Sequence, residues 1–201
     1  MQLTVPPDRI AELTRLVVSA SLLALLAIAV MGRRGAARAN AKRDLKSSIG
    51  FLLQIAAYAI CFIFDRTSFR AFFPMARLSE NVLAAVTILL AVASTWFCYV
   101  SARALGKQWA LMARVIEGHE LIAQGPYALV RNPIYLAMLG IEVASGLAFG
   151  RWQALVAATA VFLAGTWIRI HTEEKLLREA FGAKFDSYAE RVPALLPRLF
   201  R

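Results

Sequence analysis

Residues Asn81–Val100 read NVLAAVTILLAVASTWFCYV, twenty positions without a single charge. A helix of that length rises about 30 Å, the thickness of the hydrocarbon layer of a bilayer. In water such a segment would need wrapping on every side, so its reading decides the class of fold. Four more apolar runs flank it, at Leu16–Met31, Ser48–Phe64, Pro133–Gly150 and Trp152–Ile168. The first and last of the five are short, and need flanking residues or a thin bilayer to span. Of the 201 residues, 59% are hydrophobic, against about 45–50% in soluble domains. The expectation is an all-α integral membrane protein with about five transmembrane helices.

The net charge of +10 does not point to nucleic acid. Its basic residues sit between apolar blocks instead of along one polar face, so anionic lipid headgroups are the natural counter-charge. The first connection, within 32–47, carries Arg33, Arg34, Arg38, Lys42, Arg43 and Lys46 against Asp44 alone. By the positive-inside rule it faces the cytoplasm. Five spans then put the N-terminus outside and the C-terminus inside. Arg66, Arg70 and Arg77 in the outer loop Asp65–Glu80 weaken that bias without reversing it. The basic cluster follows the first apolar run, and no A-x-A site precedes a soluble domain, so that run reads as a retained span. Cys61 and Cys98 lie in apolar runs with no metal-ligand spacing and read as small core residues.

This organisation divides the chain into three N-terminal spans, 1–104, and a half, 105–201, that holds a helical hairpin over 133–171. Two polar segments, Leu105–Asn132 and His171–Arg201, then share the cytoplasmic face, and chemistry is to be sought there. In the first, the chain alternates over Met112–Val115, turns at Glu117-Gly118 and resumes at Leu121-Ile122, which suggests a short hairpin on the membrane surface. Gly125-Pro126 is a second turn. Pro133 suits the first position of a helix, with Asn132 as its N-cap. The bland reading of this stretch has Arg131 reaching lipid headgroups and Tyr127 and Tyr135 forming an interfacial belt. In the second segment, Leu176, Leu177, Ala180, Phe181, Phe185 and Tyr188 recur at helical spacing, interrupted by Gly182. Glu173 and Glu174 lie one turn past Arg169. Two adjacent carboxylates beside anionic lipid are costly unless something cationic or hydroxylated binds them.

GHELIAQGPYALVRNPIY (118–135), a two-helix hairpin, and RIHTEEKLL…FGAKFDSYAERVPALLP (169–197) together resemble the isoprenylcysteine carboxyl methyltransferase family and its phospholipid N-methyltransferase relatives. The likeness covers about Leu105–Leu199. The family's motif usually has histidine after the arginine, and Asn132 stands there instead. The resemblance implies S-adenosylmethionine as methyl donor, in a cytoplasmic pocket built from the loop before span four and the C-terminal helix. It implies His119, Leu121, Gly125, Tyr127, Pro133, Tyr135, Glu173 and Glu174 as cofactor-binding residues. Arg131, Arg191 and Tyr135 are implied at the reaction centre, with the acceptor a membrane lipid or lipidated group entering from the bilayer. These residue types suit the chemistry: carboxylates accept from ribose hydroxyls or an ammonium, arginine grips a carboxylate through two bonds, and aromatic faces attract a sulfonium.

Glu142 lies mid-span, where an unpaired charge costs at least ~2.5 kcal/mol. It is protonated, paired with Arg169 across the hairpin, or facing a lipid-substrate cavity, to which Gln54 and Trp167 are further candidates. A carboxylate acceptor leads, on the strength of Arg131 and Arg191. Phospholipid headgroup N-methylation is the alternative within the same chemistry. A nicotinamide-dependent membrane reductase and a non-catalytic scaffold are the other classes, and the double glutamate argues against a 2′-phosphate.

Overall fold

A computed structural model of the chain describes residues 7–36, 45–63, 77–106 and 121–198. These form helices α1 (Pro7–Ala36), α2 (Leu45–Ile63), α3 (Arg77–Leu105), α4 (Pro126–Leu129), α5 (Pro133–Ala148), α6 (Trp152–Phe181) and α7 (Ala183–Arg191). Segments of α1, α2, α3 and α6 are long and apolar enough to cross a membrane. The all-α membrane protein expected from hydropathy is the fold observed. His119, and the surface hairpin read around Gly118, lie outside the described residues.

The fourth apolar run forms a helix of 16 residues, about 24 Å long and therefore shorter than the ~30 Å hydrocarbon layer. Its position explains how it persists. α5 packs against α1, α2, α3 and α6, while α2 lies along α6 and α1 along α3. A helix enclosed by four others is shielded from lipid along most of its length.

Small residues make this packing possible. Association in lipid gains little from apolar burial alone and depends on close van der Waals contact. Ala144 and Ala148 of α5 meet Val18 of α1 and Ala91 of α3, and Ala57 and Cys61 of α2 meet Ala158 and Phe162 of α6. Cys61 and Cys98 are buried, as expected of core residues. A Cβ at Gly140 would sit 2.1 Å from Ser94 Oγ, so α5 and α3 need glycine there to approach. Hydroxyls inside the bundle turn back on their own helices: Thr87 donates to the Leu83 carbonyl at 2.7 Å and Ser145 to Ile141 at 2.8 Å, which satisfies them without a partner helix.

α6 continues without a break past the apolar run to Phe181. Gly182, with φ 51°, then turns the chain into α7. That left-handed backbone costs glycine little, and Arg178 Nε donates to Asp186 Oδ1 across the corner at 2.7 Å.

Candidate functional site

The polar end of the bundle is assembled from the loop before α5, the distal part of α6, and the tail. Gly125, at φ 60°, turns the chain into the single-turn α4. This buries Tyr127 and Val130 and brings Arg131 to the start of α5. Arg131 Nε donates to Glu174 Oε1 at 2.8 Å and Nη2 to Glu174 Oε2 at 3.1 Å. Nη1 donates to the carbonyls of Ala189, at 2.8 Å, and Val192. Four of the five guanidinium N–H donors therefore hold α6 and the tail. Backbone bonds complete the closure, from Arg131 N to Pro193 O at 2.8 Å and from Asn132 N to Ala194 O at 3.1 Å.

Asn132 stands at the N-terminus of α5 but makes no side-chain cap. Its Nδ2 donates instead to Ala194 O at 3.0 Å and Glu174 Oε1 at 3.4 Å. The tail supplies acceptors that a helix terminus does not, so the amide turns outward and Pro133, lacking an N–H, opens the helix unaided. Arg131 likewise does not reach for headgroups, since its side chain is only 14% exposed.

A second cluster lies deeper. Arg169 is 3% exposed. Its Nε donates to Tyr135 Oη at 2.7 Å and its Nη2 approaches Glu173 Oε1 at 3.4 Å. The Tyr135 hydroxyl donates to Glu173 Oε1. Adjacent glutamates are thus held by different arginines, Glu174 by Arg131 and Glu173 by Arg169.

Beside the outer pair lies a cleft of about 400 Å³, lined among others by Leu121, Tyr127, Glu174, Phe185 and Tyr188. Tyr188 donates to the Tyr127 carbonyl at 2.6 Å and ties α7 to α4. Burial, with the Glu173 charge as a second cause, pushes the Tyr127 phenol well above its ordinary value. Burial also pushes Tyr188 up to about 12, lowered somewhat by Arg131 and raised by Glu174. Both rings present neutral phenols to the cleft at physiological pH.

The cleft lining brings together Leu121, Tyr127, Arg131 and Glu174, Tyr135 and Glu173 meet in the deeper cluster with Arg169, and Pro133 is buried at the start of α5. Gly125 serves the turn, with open space where a Cβ would sit. Arg191 stays apart: it is exposed, and its Nε donates to Ser187 O of its own helix at 3.0 Å. Trp167 is 66% exposed and packs against His171 with the rings tilted by 46° and their centroids 4.2 Å apart. Glu142 is fully buried along α5 and away from the cleft. Its partners are Thr159, whose Oγ1 donates at 3.1 Å, and Cys61 Sγ at 3.7 Å. The pairing expected with Arg169 is replaced by these neutral donors, because Tyr135 and Glu173 stand closer to the guanidinium. Gln54 Nε2 donates to Thr166 Oγ1 at 2.9 Å between α2 and α6. Asn132, Tyr188 and Arg169 are the site residues whose roles the sequence did not disclose. Only Arg169 had a usable signal, its i,i+4 spacing to Glu173.

Residues 82–184 match the phospholipid methyltransferase family. Among curated proteins, the chain is 36% identical over 106 residues to the cobalt-zinc-cadmium resistance protein CzcN of Cupriavidus metallidurans, a match covering 50% of this chain and 46% of that protein. It is 33% identical over 102 residues to the nickel-cobalt-cadmium resistance protein NccN of Alcaligenes xylosoxydans xylosoxydans, covering 50% and 47% respectively. It is 31% identical over 81 residues to protein-S-isoprenylcysteine O-methyltransferase B of Arabidopsis thaliana, covering 40% and 41%. The chain spans less than half the length of these curated relatives, while the family match takes in the hairpin α5–α6, Arg131 and both glutamates.

Proposed function

Because the chain belongs to the phospholipid methyltransferase family, we propose that it is a methyltransferase using S-adenosylmethionine, with an acceptor drawn from the membrane and a carboxylate as the leading acceptor. The observation that carries this reading is the Arg131–Glu174 pair at 2.8 Å, which closes loop and tail around an aromatic cleft. The residues suit a ligand that is cationic at one end and carries hydroxyls and an aromatic base at the other. Glu174 and Glu173, each fixed by an arginine, offer oriented acceptors for hydroxyls or an ammonium. Tyr127, Phe185 and Tyr188 offer ring faces to a base or a sulfonium.

When bound, the cofactor supplies an electrophilic methyl group. An anionic carboxylate attacks such a methyl without losing a proton, so the protein's task is alignment and exclusion of water, which lowers barriers by several kcal/mol. Arg131 acts here by fixing Glu174 and the tail. Gripping the acceptor directly would require breaking bonds it already makes. The apolar spans beside the site give a membrane-borne acceptor its route, and the basic connection within 32–47 favours a cytoplasmic orientation.

The test incubates purified protein with methyl-labelled S-adenosylmethionine and a lipid extract, then treats the labelled product with base. A carboxyl methyl ester releases its label as volatile methanol, whereas an N-methylated headgroup keeps it. The expected result is base-labile label in the lipid or lipidated fraction. Base-stable label would move the reading to headgroup amines. Calorimetric heat with NADPH but none with S-adenosylmethionine would transfer it to a reductase.

A further inference from the structure

We propose that α2 is a working part of this site: Gly50 and Phe51 form the socket that seats the Arg169 guanidinium, and through Arg169 they set Tyr135 and Glu173. The inference rests on the methyltransferase reading. The family match begins at residue 82, so α2 lies wholly outside the part of the chain on which that reading was built.

A guanidinium 3% exposed among apolar helices is strongly unfavourable unless neutralised and hydrogen-bonded. Arg169 satisfies both needs, and the way it does so imposes direction. Arginine has no acceptor, so the Tyr135 oxygen must accept from Nε, at 2.7 Å. The one phenolic proton is then left to point at Glu173, the contact observed. Arg169, Tyr135 and Glu173 form a hydrogen-bond chain with a single polarity. Moving the guanidinium moves the carboxylate at its end.

The second aromatic face on the guanidinium is contributed by α2. The guanidinium's central carbon lies 5.5 Å from the centroid of the Phe51 ring and 5.3 Å from that of Tyr135. Both are within the ~6 Å reach of a cation–π attraction, which strengthens where water is excluded. Gly50 makes room for the stem. A Cβ there would fall 2.6 Å from Arg169 Cγ and 2.7 Å from the Gly165 carbonyl oxygen. The stem can shift, but the carbonyl cannot without moving α6. Gly165 answers from the other side, where an added Cβ would meet the Gly50 carbonyl oxygen at 2.6 Å. Ser47, Gln54, Ala57 and Cys61 continue the buried seam along α2, at the spacing of a packed helix face. Leu52, next to the socket, is 62% exposed. One face of α2 serves Arg169 and the other faces lipid.

Full-length protein in detergent is titrated calorimetrically with S-adenosylhomocysteine, the demethylated cofactor, which binds without reacting. Arg169→Met is expected to weaken binding by roughly tenfold or more, since it releases the Tyr135–Glu173 chain. Phe51→Leu, which removes the ring without adding bulk, is expected to weaken it about three- to tenfold. Phe51→Tyr restores the ring and, with it, affinity to within about twofold of wild type. Leu52→Ala leaves affinity unchanged. In the Arg169→Met background, Phe51→Leu has no further effect, because it acts through the arginine. Gly50→Ala closes the socket outright, and Phe51→Leu keeps the test sound if that variant does not fold. If wild type binds while Phe51→Leu binds equally well, or if the two losses multiply in the double variant, the socket role is wrong. A wild-type protein that takes up no S-adenosylhomocysteine would overturn the methyltransferase reading and the socket's role within it.

Discussion

Glu173 and Glu174 are neighbours in the chain and differ in what holds them. Glu174 belongs to an outer pair, 15% exposed, joined to Arg131 from 43 residues away and through it to the tail. Glu173, itself 25% exposed, belongs to an inner pair only through its partners: Arg169 one turn back on its own helix, whose side chain is 4% exposed, and Tyr135 of α5. The outer pair fastens the loop and the tail, which are irregular and need fastening. The inner pair fastens the cleft to the helical bundle. Consecutive residues on a helix point about 100° apart, so one dipeptide serves both purposes.

Removing the outer arginine should have the largest consequence. Arg131→Met removes all of the guanidinium's bonds to Glu174, Ala189 and Val192 and leaves Glu174 only the longer contact from Asn132 at 3.4 Å. Truncating one partner of a buried charge pair costs about 3–5 kcal/mol. The pair is slightly exposed, 14% and 15%, so the lower end is expected, about 3 kcal/mol. Limited proteolysis should then cut the tail beyond Ala189, and cofactor affinity should fall with it. Arg131→Lys keeps the charge without the two-pronged geometry and should lie between. A variant with its tail still protected would remove Arg131 from the centre of the closure.

Tyr135→Phe tests the inner pair and is expected to cost less, about 2 kcal/mol, because Arg169 Nε and Glu173 lose a common partner but not each other. The contrast lies in proteolysis. This variant should lose thermal stability and cofactor affinity while its tail stays as resistant as wild type. If the tail becomes sensitive, the two pairs form one unit and the division drawn between them fails.

Much of the bundle was legible because hydropathy reports burial in lipid directly. Asn81–Val100 falls wholly within α3, and the minimal turn at Gly150-Arg151 does join an antiparallel hairpin. The centrality of α5 was not legible. Its composition resembles that of its neighbours, and enclosure depends on how helices are arranged around it. At the site, residue types were readable and partners were not. Arg131 and Arg191 are alike as sequence, yet one is largely covered at the junction, 14% exposed, and the other is exposed on α7. Their separation from Glu174 carries no information about contact. Asn132 obeyed its local rule in position, preceding Pro133, and departed from it in bonding, because the tail carbonyl lies 62 residues away. Glu142 was readable as an anomaly, but its neutral partners Thr159 and Cys61 were not.

The smallest effect is expected at Tyr188, and its dependence on pH makes it measurable. The hydroxyl donates to the Tyr127 carbonyl at 2.6 Å, so Tyr188→Phe at pH 8 should cost about 1 kcal/mol. An unfolded tyrosine loses its proton near pH 10, whereas burial holds that of Tyr188 to about 12. The native state therefore binds this proton more tightly than the unfolded chain does. Its stabilising share is complete below pH 10 and is lost as pH rises from about 10 to 12. Phenylalanine has no proton to lose, so the deficit of the variant should shrink across that interval. Melting both proteins in the same detergent from pH 8 to 11.5 measures the difference directly, because groups common to the two cancel. A deficit constant in pH would mean that the phenol is not held neutral between loop and tail, and that α7 is fastened by Arg131 and by the Arg178–Asp186 contact instead.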